Sequence, residues 1–404
     1  MNILWGFAGI LTILGIAFIF SDNKTQIKWR PVLVGLAIQL TFAFLVLQTG
    51  IGRAFLEWLT FGVNNIISYA NAGIDFVLGG FGYQAEGGMV FAINVLTIII
   101  FFSSLISVLY YLKIMQIVIK FLGGALSWML GTRKAESMSA SANIFVGQTE
   151  APLVVKPYIS NMTNSELFAV MTGGLASVAG SVLIGYSQLG VPLEYLLAAS
   201  FMAAPAGLVM AKMFVPETDD RPDPEDFAME ADEEASNVVD AAAKGASTGL
   251  QLVLNVGAML IAFIALIAML NGILGWIGGW FGFEQLSIEL ILGYVFAPLA
   301  FAIGIPWDEA IRAGNFIGQK LVLNEFVAYA NFAPEMDSFS DKTVAIITFA
   351  LCGFANISSL AILLGGLGNL APNRRPDIAR MGIRAVAAGA LASMLSASIA
   401  GMFF

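Results

Sequence analysis

The sequence predicts an all-α polytopic membrane protein with about eight transmembrane helices, two re-entrant helical hairpins and interfacial helices. Three observations carry this. First, 58% of the 404 residues are hydrophobic and only 12% charged, where a soluble domain carries about 25% charged residues. Second, residues 1–21, 31–52, 87–112, 167–193, 245–283, 343–373 and 385–404 contain no Asp, Glu, Lys or Arg. Roughly 20 such residues cross the hydrocarbon as a helix, whereas barrel strands would be about 10 residues of alternating pattern. Third, two stretches near Glu150 and Glu325 are too polar for a span and too apolar for a solvated loop.

The spacing predicts spans at 3–20, 31–49, 88–112, 167–190, 195–213, 249–275, 343–371 and 382–404. The first lacks a basic segment before Trp5 and ends without a small-x-small cleavage site, so it reads as a span rather than a cleaved signal. Lys24, Lys28 and Arg30 lie between spans 1 and 2, and Arg374, Arg375, Arg380 and Arg384 lie at the junction of spans 7 and 8. Basic residues in short loops favour the cytoplasmic side, which places both termini outside and requires an even number of spans. Segments 114–131 and 286–305 are apolar but short, and counting both as spans keeps the parity, so they either cross or lie along the interface. Residues 52–77 mix polar and aromatic residues at helical spacing, as in an amphipathic helix at the membrane surface.

Net charge is −9, and it is local: Glu217–Glu234 holds ten acidic residues and one Arg. With Pro216, Pro222 and Pro224 it reads as a solvated acidic loop rather than a cation-binding tail. There is no histidine, which excludes His zinc sites and Ser–His catalysis, and a lone Cys352 excludes an intrachain disulfide.

The chain also repeats itself. A long span (88–112; 249–275), a short apolar segment (114–131; 286–305), a polar stretch (133–165; 306–342) and two spans occur twice, in that order. Spans 3 and 6 exit on opposite sides, so the halves are inverted. Inverted repeats with interrupted segments at matching positions are a transporter design, with the site between them at the midplane.

Four places can carry chemistry. In the first polar stretch Gly147 and Pro152 bracket Gln148-Thr149-Glu150, as at the tip of a hairpin. The second offers Asn324-Glu325-Phe326. Span 4 is loosened at Gly173-Gly174 and Ser177 through Val182, and span 7 at Gly353-Phe354-Ala355-Asn356 through Ser359. Carboxylates, amides and hydroxyls suit a neutral polar solute with hydroxyls and a heterocycle. Phe326 and Phe354 offer it an apolar face. Asn143, Ser177 and freed carbonyls suit a small hard cation. Bland readings compete: Ser181 and Ser358 as packing hydrogen bonds, Gly173 and Gly174 as close-packing positions, Phe326 as core, and Lys320 as a structural partner that neutralises Glu325. An intramembrane carboxylate costs several kcal/mol, so Glu150 and Glu325 read as functional.

At these residues the chain resembles the concentrative nucleoside transporter family. The match rests on Gly318-x-Lys320-x-x-x-Asn324-Glu325-Phe326-Val327-Ala328-Tyr329, on Val146-Gly147-Gln148-Thr149-Glu150-Ala151-Pro152, and on Gly353-Phe354-Ala355-Asn356 through Ser359, in that family's pattern. It extends over essentially the whole chain and is closest to the bacterial form. The resemblance implies a sodium-coupled symporter of an inner membrane, a homotrimer embedded in lipid, and an elevator mechanism. It implies scaffold helices in 1–112 and 245–283 and transport-domain repeats in 113–215 and 284–404, with an acidic cytoplasmic loop over 216–244. Nucleobase contacts fall on Gln148, Thr149, Glu150 and Val182. Ribose contacts fall on Glu325, Phe354, Asn356 and Ser359. The sodium ligands are Asn143, Ser177 and the carbonyls of Val146 and Val178. Proton coupling through a carboxylate is the alternative, and an intramembrane enzyme the remote one; no nucleophile motif supports the latter.

Overall fold

The computed structural model describes residues 2–79, 92–219, 235–283 and 285–404. The described residues are helical almost throughout. The leading helices are α1 (Asn2–Ile19), α2 (Trp29–Gln48) and α3 (Gly50–Leu78). After residues 80–91, which lie outside the description together with the first part of expected span 3, a π turn (Ala92–Leu96) leads into α4 (Ile98–Tyr111). The first repeat follows: α5 (Ile114–Leu130), α6 (Lys134–Ala142), α7 (Lys156–Ile159), α8 (Asn164–Ala176), α9 (Gly180–Gln188) and α10 (Leu193–Phe214). Then α11 (Val238–Trp280) precedes the second: α12 (Ile288–Ala302), α13 (Trp307–Val322), α14 (Glu325–Phe332), α15 (Asp341–Leu351), α16 (Ile357–Leu370) and α17 (Arg375–Ala400).

Six helical stretches among the described residues are long and apolar enough to cross a bilayer: 2–19, 29–48, 164–188, 193–214, 238–280 and 372–403. The two ambiguous segments are sharply bent against their neighbours. Helix α5 leaves α4 at 80°, and α12 meets α13 at 116°, so neither continues its neighbour's path. Fifteen residues in α12 make roughly 22 Å of helix, short of a hydrocarbon core of about 30 Å. Amphipathic α3 is one turn-free helix of 29 residues, slightly longer than the expected 52–77. Its corner with α2 needs Gly52, where a Cβ would stand 1.8 Å from the Leu45 carbonyl oxygen.

Two expectations are corrected here. The acidic loop does not reach residue 244. Helix α11 starts at Val238, because Asn237 Oδ1 accepts the amides of Val239 (2.9 Å) and Asp240 (3.0 Å) as an N-cap. Residues 220–234 of that loop lie outside the description. Span 6 is also far longer than 249–275. Its 43 residues make about 65 Å of helix, so α11 projects well beyond the hydrocarbon.

Helices pair through small residues, as they must where apolar surface alone gives no preference for protein over lipid. Gly245 and Gly249 of α11 lie directly on Ser103, Ser104, Ser107 and Ile100 of α4. Gly6 and Gly9 seat α1 on Met402 and Ser398, and Gly35 seats α2 on Val209. So α4 pairs with α11, while spans 1 and 2, expected to group with them, pack on α17 and α10.

The two repeats are inverted. Arg384 pairs with Asp22 (2.9 Å) and donates to the Phe20 carbonyl (2.9 Å), so both basic loops lie at one end of the molecule. Arg374 at that end bonds the Met162 carbonyl and Asn164 at the base of the first hairpin. At the opposite end of α1, Lys342 beside the second hairpin donates to Asn2 Oδ1 (3.3 Å). The hairpins therefore enter from opposite ends.

Candidate functional site

Each repeat contains one hairpin and one broken span. The first hairpin is α6, a turn at Asn143–Glu150, and a short irregular return leg ending in α7. The second is α13 and α14, meeting at Leu323 and Asn324. Span 4 breaks between α8 and α9 at Ser177–Ala179, and span 7 breaks between α15 and α16 at Cys352–Asn356. The breaks cross: the Phe354 amide donates to the Ser177 carbonyl (3.0 Å). A Cβ on Gly353 would stand 2.9 Å from the Ala176 carbonyl oxygen, so only glycine admits this crossing.

The first hairpin is anchored at its base by a buried ion pair. Glu136 Oε2 stands 2.5 Å from the Lys212 ammonium of α10, and Lys212 donates to Ser165 Oγ of α8 (2.9 Å). Removing one partner strands a buried charge. Lys212→Met should destabilise the protein by about 3–5 kcal/mol, whereas adding Glu136→Leu should recover most of the loss. Thermal unfolding of the detergent-solubilised variants checks this.

The tip of that hairpin lies on the break of span 4. The Gly180 amide donates to the Phe145 carbonyl (3.0 Å). A Cβ on Gly174 would meet Gln148 Cβ at 2.9 Å, and one on Gly173 would meet Asn143 Nδ2 at 3.3 Å. Both glycines therefore serve close packing. Thr149 crosses to the other repeat, its Cγ2 standing 2.7 Å from where a Cβ on Gly366 of α16 would be. Gln148 is buried with its Oε1 lacking a protein donor, while Glu150 is exposed at the tip.

Asn143 and Ser177 come together around Gly173. Ser177 Oγ donates to the Gly173 carbonyl (3.0 Å), and Asn143 Nδ2 donates to the Ser139 carbonyl (2.9 Å). That fixes the orientation of the amide and leaves Asn143 Oδ1, buried, with no donor. Asn143 Oδ1 is thus a buried oxygen without a protein donor on the first hairpin, the Val146 carbonyl lies in the hairpin turn, and Ser177 and the Val178 carbonyl lie at the break of span 4; neutral oxygens of this kind suit a small monovalent cation. Among the described residues no three His, Cys, Asp or Glu side chains converge, so no carboxylate-rich metal site competes.

Glu325 forms the other half. It is 5% exposed. Its Oε2 accepts from Asn356 Nδ2 (3.0 Å) in the break of span 7, and its Oε1 accepts from Tyr186 OH (3.1 Å) on α9. Local capping sets both elements. Asn324 Oδ1 accepts the Val327 amide (2.9 Å) to start α14, and Asn356 Oδ1 accepts the Ser359 amide (2.8 Å) and the Ser358 hydroxyl (2.7 Å) to start α16. Ser358 thus supports Asn356, and Ser359 is held at the first turn of α16. Phe354 is half-buried at the break, and Val182 lies buried one turn before Tyr186 on α9.

Two readings change. Phe326 takes its core reading: it is buried and packs edge-on against Tyr186 with ring centroids 4.7 Å apart. Lys320 does not pair with Glu325. Its ammonium donates to the Ala350 carbonyl (2.7 Å) and to Ser393 Oγ (3.0 Å) instead. Tyr186 is the residue that sequence reasoning missed. The signal for it was a tyrosine within an otherwise apolar half-helix, immediately past a polar break.

The chain is similar to known proteins over its whole length. The pattern described as "Na+ dependent nucleoside transporter N-terminus" matches residues 8–81, "Nucleoside recognition" matches 92–192, and "Na+ dependent nucleoside transporter C-terminus" matches 195–401. An "Uncharacterized transporter YutK" of Bacillus subtilis is 59% identical over the full length of both chains. "Nucleoside permease NupC" of Helicobacter pylori is 50% identical, covering 99% of this chain and 97% of that one. The structure of CNTnw in an inward-facing substrate-bound state superposes with a TM-score of 0.95 at 54% identity, covering 100% of this chain and 98% of that one. A variant of CNTnw in an outward-facing state superposes with a TM-score of 0.97.

Proposed function

Because this chain belongs to the Na+-dependent nucleoside transporter family, we propose that it imports nucleosides, uridine and other pyrimidine nucleosides foremost, in symport with sodium. The chain is a transporter and not an enzyme. The observation that carries the ion is the orphaned Asn143 Oδ1, on a hairpin tip that packs against the loosened backbone of span 4. Sodium there links the first hairpin to span 4 and fixes its tip, where Gln148, Thr149 and Glu150 receive the base above Val182. Glu325, with Asn356, Ser359 and Phe354, receives the ribose hydroxyls.

An uncharged nucleoside feels no membrane voltage, so uphill uptake needs the ion. One charge moved inward across 100 mV supplies about 2.3 kcal/mol. That supports roughly 50-fold accumulation before any sodium gradient is added. The site moves between faces as an elevator. The frame is α3, α4 and α11; α1 and α2 travel with the hairpins, because their glycine-mediated contacts are to α17 and α10. Much of the apolar surface of α11 is exposed in one chain, Ile261 at 76%, and in a homotrimer other copies and lipid cover it. Both basic loops, at one end of the molecule, face the cytoplasm of a bacterial inner membrane.

Coupling between two sites is reciprocal. Uridine should therefore bind at least about fivefold more tightly in saturating sodium than in choline, as isothermal titration would show. A uridine affinity independent of sodium contradicts the proposal.

A further inference from the structure

The second hairpin contains a buried cation that the proposed transport cycle leaves without a part. Lys320, in the last turn of α13, has no exposed surface. A buried ammonium is costly unless hydrogen-bonded. Its acceptors are the Ala350 carbonyl (2.7 Å) and Ser393 Oγ (3.0 Å). Ala350 belongs to the last turn of α15, where free carbonyls carry partial negative charge. Two residues earlier, Tyr329 OH of α14 donates to the Thr348 carbonyl (2.7 Å). Both legs of the second hairpin thus close over the end of α15. The break that follows carries Asn356, whose amide holds Glu325. The result is a closed ring running through α13, Lys320, the end of α15, Asn356, Glu325 and α14, anchored to α17 by Ser393.

Among the described residues the first hairpin has no such cation at its tip, since Lys212 reaches only its base, at Glu136 and Ser165. No Lys or Arg side chain among the described residues bonds Asn143 or Gln148, whose buried side-chain oxygens lack any protein donor. We propose that Lys320 is a positioning residue for the ribose half of the site, a resident cation that holds the second hairpin to the break of span 7 as sodium holds the first hairpin to span 4. The ribose half is then assembled before sodium arrives, and the transported ion organises only the base half. This rests on the sodium-coupled nucleoside reading above.

The test titrates purified protein with uridine and with 2′,3′-dideoxyuridine, at low and at saturating sodium. Lys320→Met should weaken uridine binding about tenfold or more, as expected for loss of a charge-assisted contact. It should also shrink the preference for uridine over the dideoxy analogue, and leave the sodium-induced change in uridine affinity as in the wild type. Lys320→Arg should restore part of the preference. Ser393→Ala, which keeps the charge and removes one acceptor, should shift the preference the same way by a smaller factor, and it decides the matter if Lys320→Met does not fold. An unchanged preference, or a collapse of the sodium effect instead, overturns the proposal. A wild type with no sodium effect, or with no preference for uridine over the analogue, overturns the functional reading and the proposal with it.

Discussion

Replacing Glu325 with Gln should weaken uridine binding by about 100-fold or more, with the fold retained. The carboxylate receives two donors, Tyr186 OH and Asn356 Nδ2, on its two oxygens. A glutamine has one acceptor oxygen. Its amide nitrogen must face either the tyrosine hydroxyl, which can rotate to accept, or the asparagine amide. Asn356 cannot turn round, because its own Oδ1 is committed to the Ser359 amide and the Ser358 hydroxyl. The amide oxygen therefore goes to Asn356, and the substrate loses the charged acceptor. Hydrogen bonds to charged groups contribute about 1.5–3 kcal/mol each, and a ribose presents two hydroxyls. Isothermal titration on a variant whose thermal unfolding is unchanged gives the number. Near-wild-type affinity would remove Glu325 from the site.

Asn143→Ala should act differently. It removes the orphaned oxygen but no proposed contact to the nucleoside. Affinity in the absence of sodium should stay within about threefold of wild type, while the gain on adding sodium, which for linked sites is typically about 5–150-fold, should nearly vanish. The packing consequence is small, since only the Nδ2 bond to the Ser139 carbonyl is lost besides. A variant that keeps the full sodium gain would place the ion elsewhere.

Much of the fold was legible because a bilayer removes alternatives. Charge-free runs become spans, and glycine with polar residues inside such a run becomes a break, as at Ser177–Ala179 and Cys352–Asn356. The hairpin tips were legible for the same reason: Gln148-Thr149-Glu150 and Asn324-Glu325 are intolerable in lipid unless something uses them. What escaped depended on tertiary direction. Composition gives α5 and α12 enough hydrophobicity to cross, and it carries no signal of their bends of 80° and 116° against α4 and α13. The N-cap at Asn237 extends α11 through residues read as loop, because an asparagine in an acidic, polar region has no periodic signal to mark it.

The site was legible in its residues and less so in its pairings. Lys320 sits five positions before Glu325, and sequence proximity suggested a salt bridge. The helical turn of α13 points the ammonium at Ala350 and Ser393 instead, 30 and 73 residues away. Tyr186 was missed for the converse reason, since its partner Glu325 is 139 residues distant. The packing of spans 1 and 2 on α17 and α10 is likewise a tertiary property. The glycines that seat α1 and α2 are ordinary in apolar helices, and nothing in their spacing names α17 and α10 as partners.

The central claim is that inward sodium drives nucleoside uptake. The most direct measurement is accumulation of labelled uridine in proteoliposomes with either a sodium gradient alone or a proton gradient alone. The account predicts uphill accumulation with sodium, enhanced by an inside-negative potential, and only equilibration with protons. Accumulation driven by the proton gradient without sodium would contradict it.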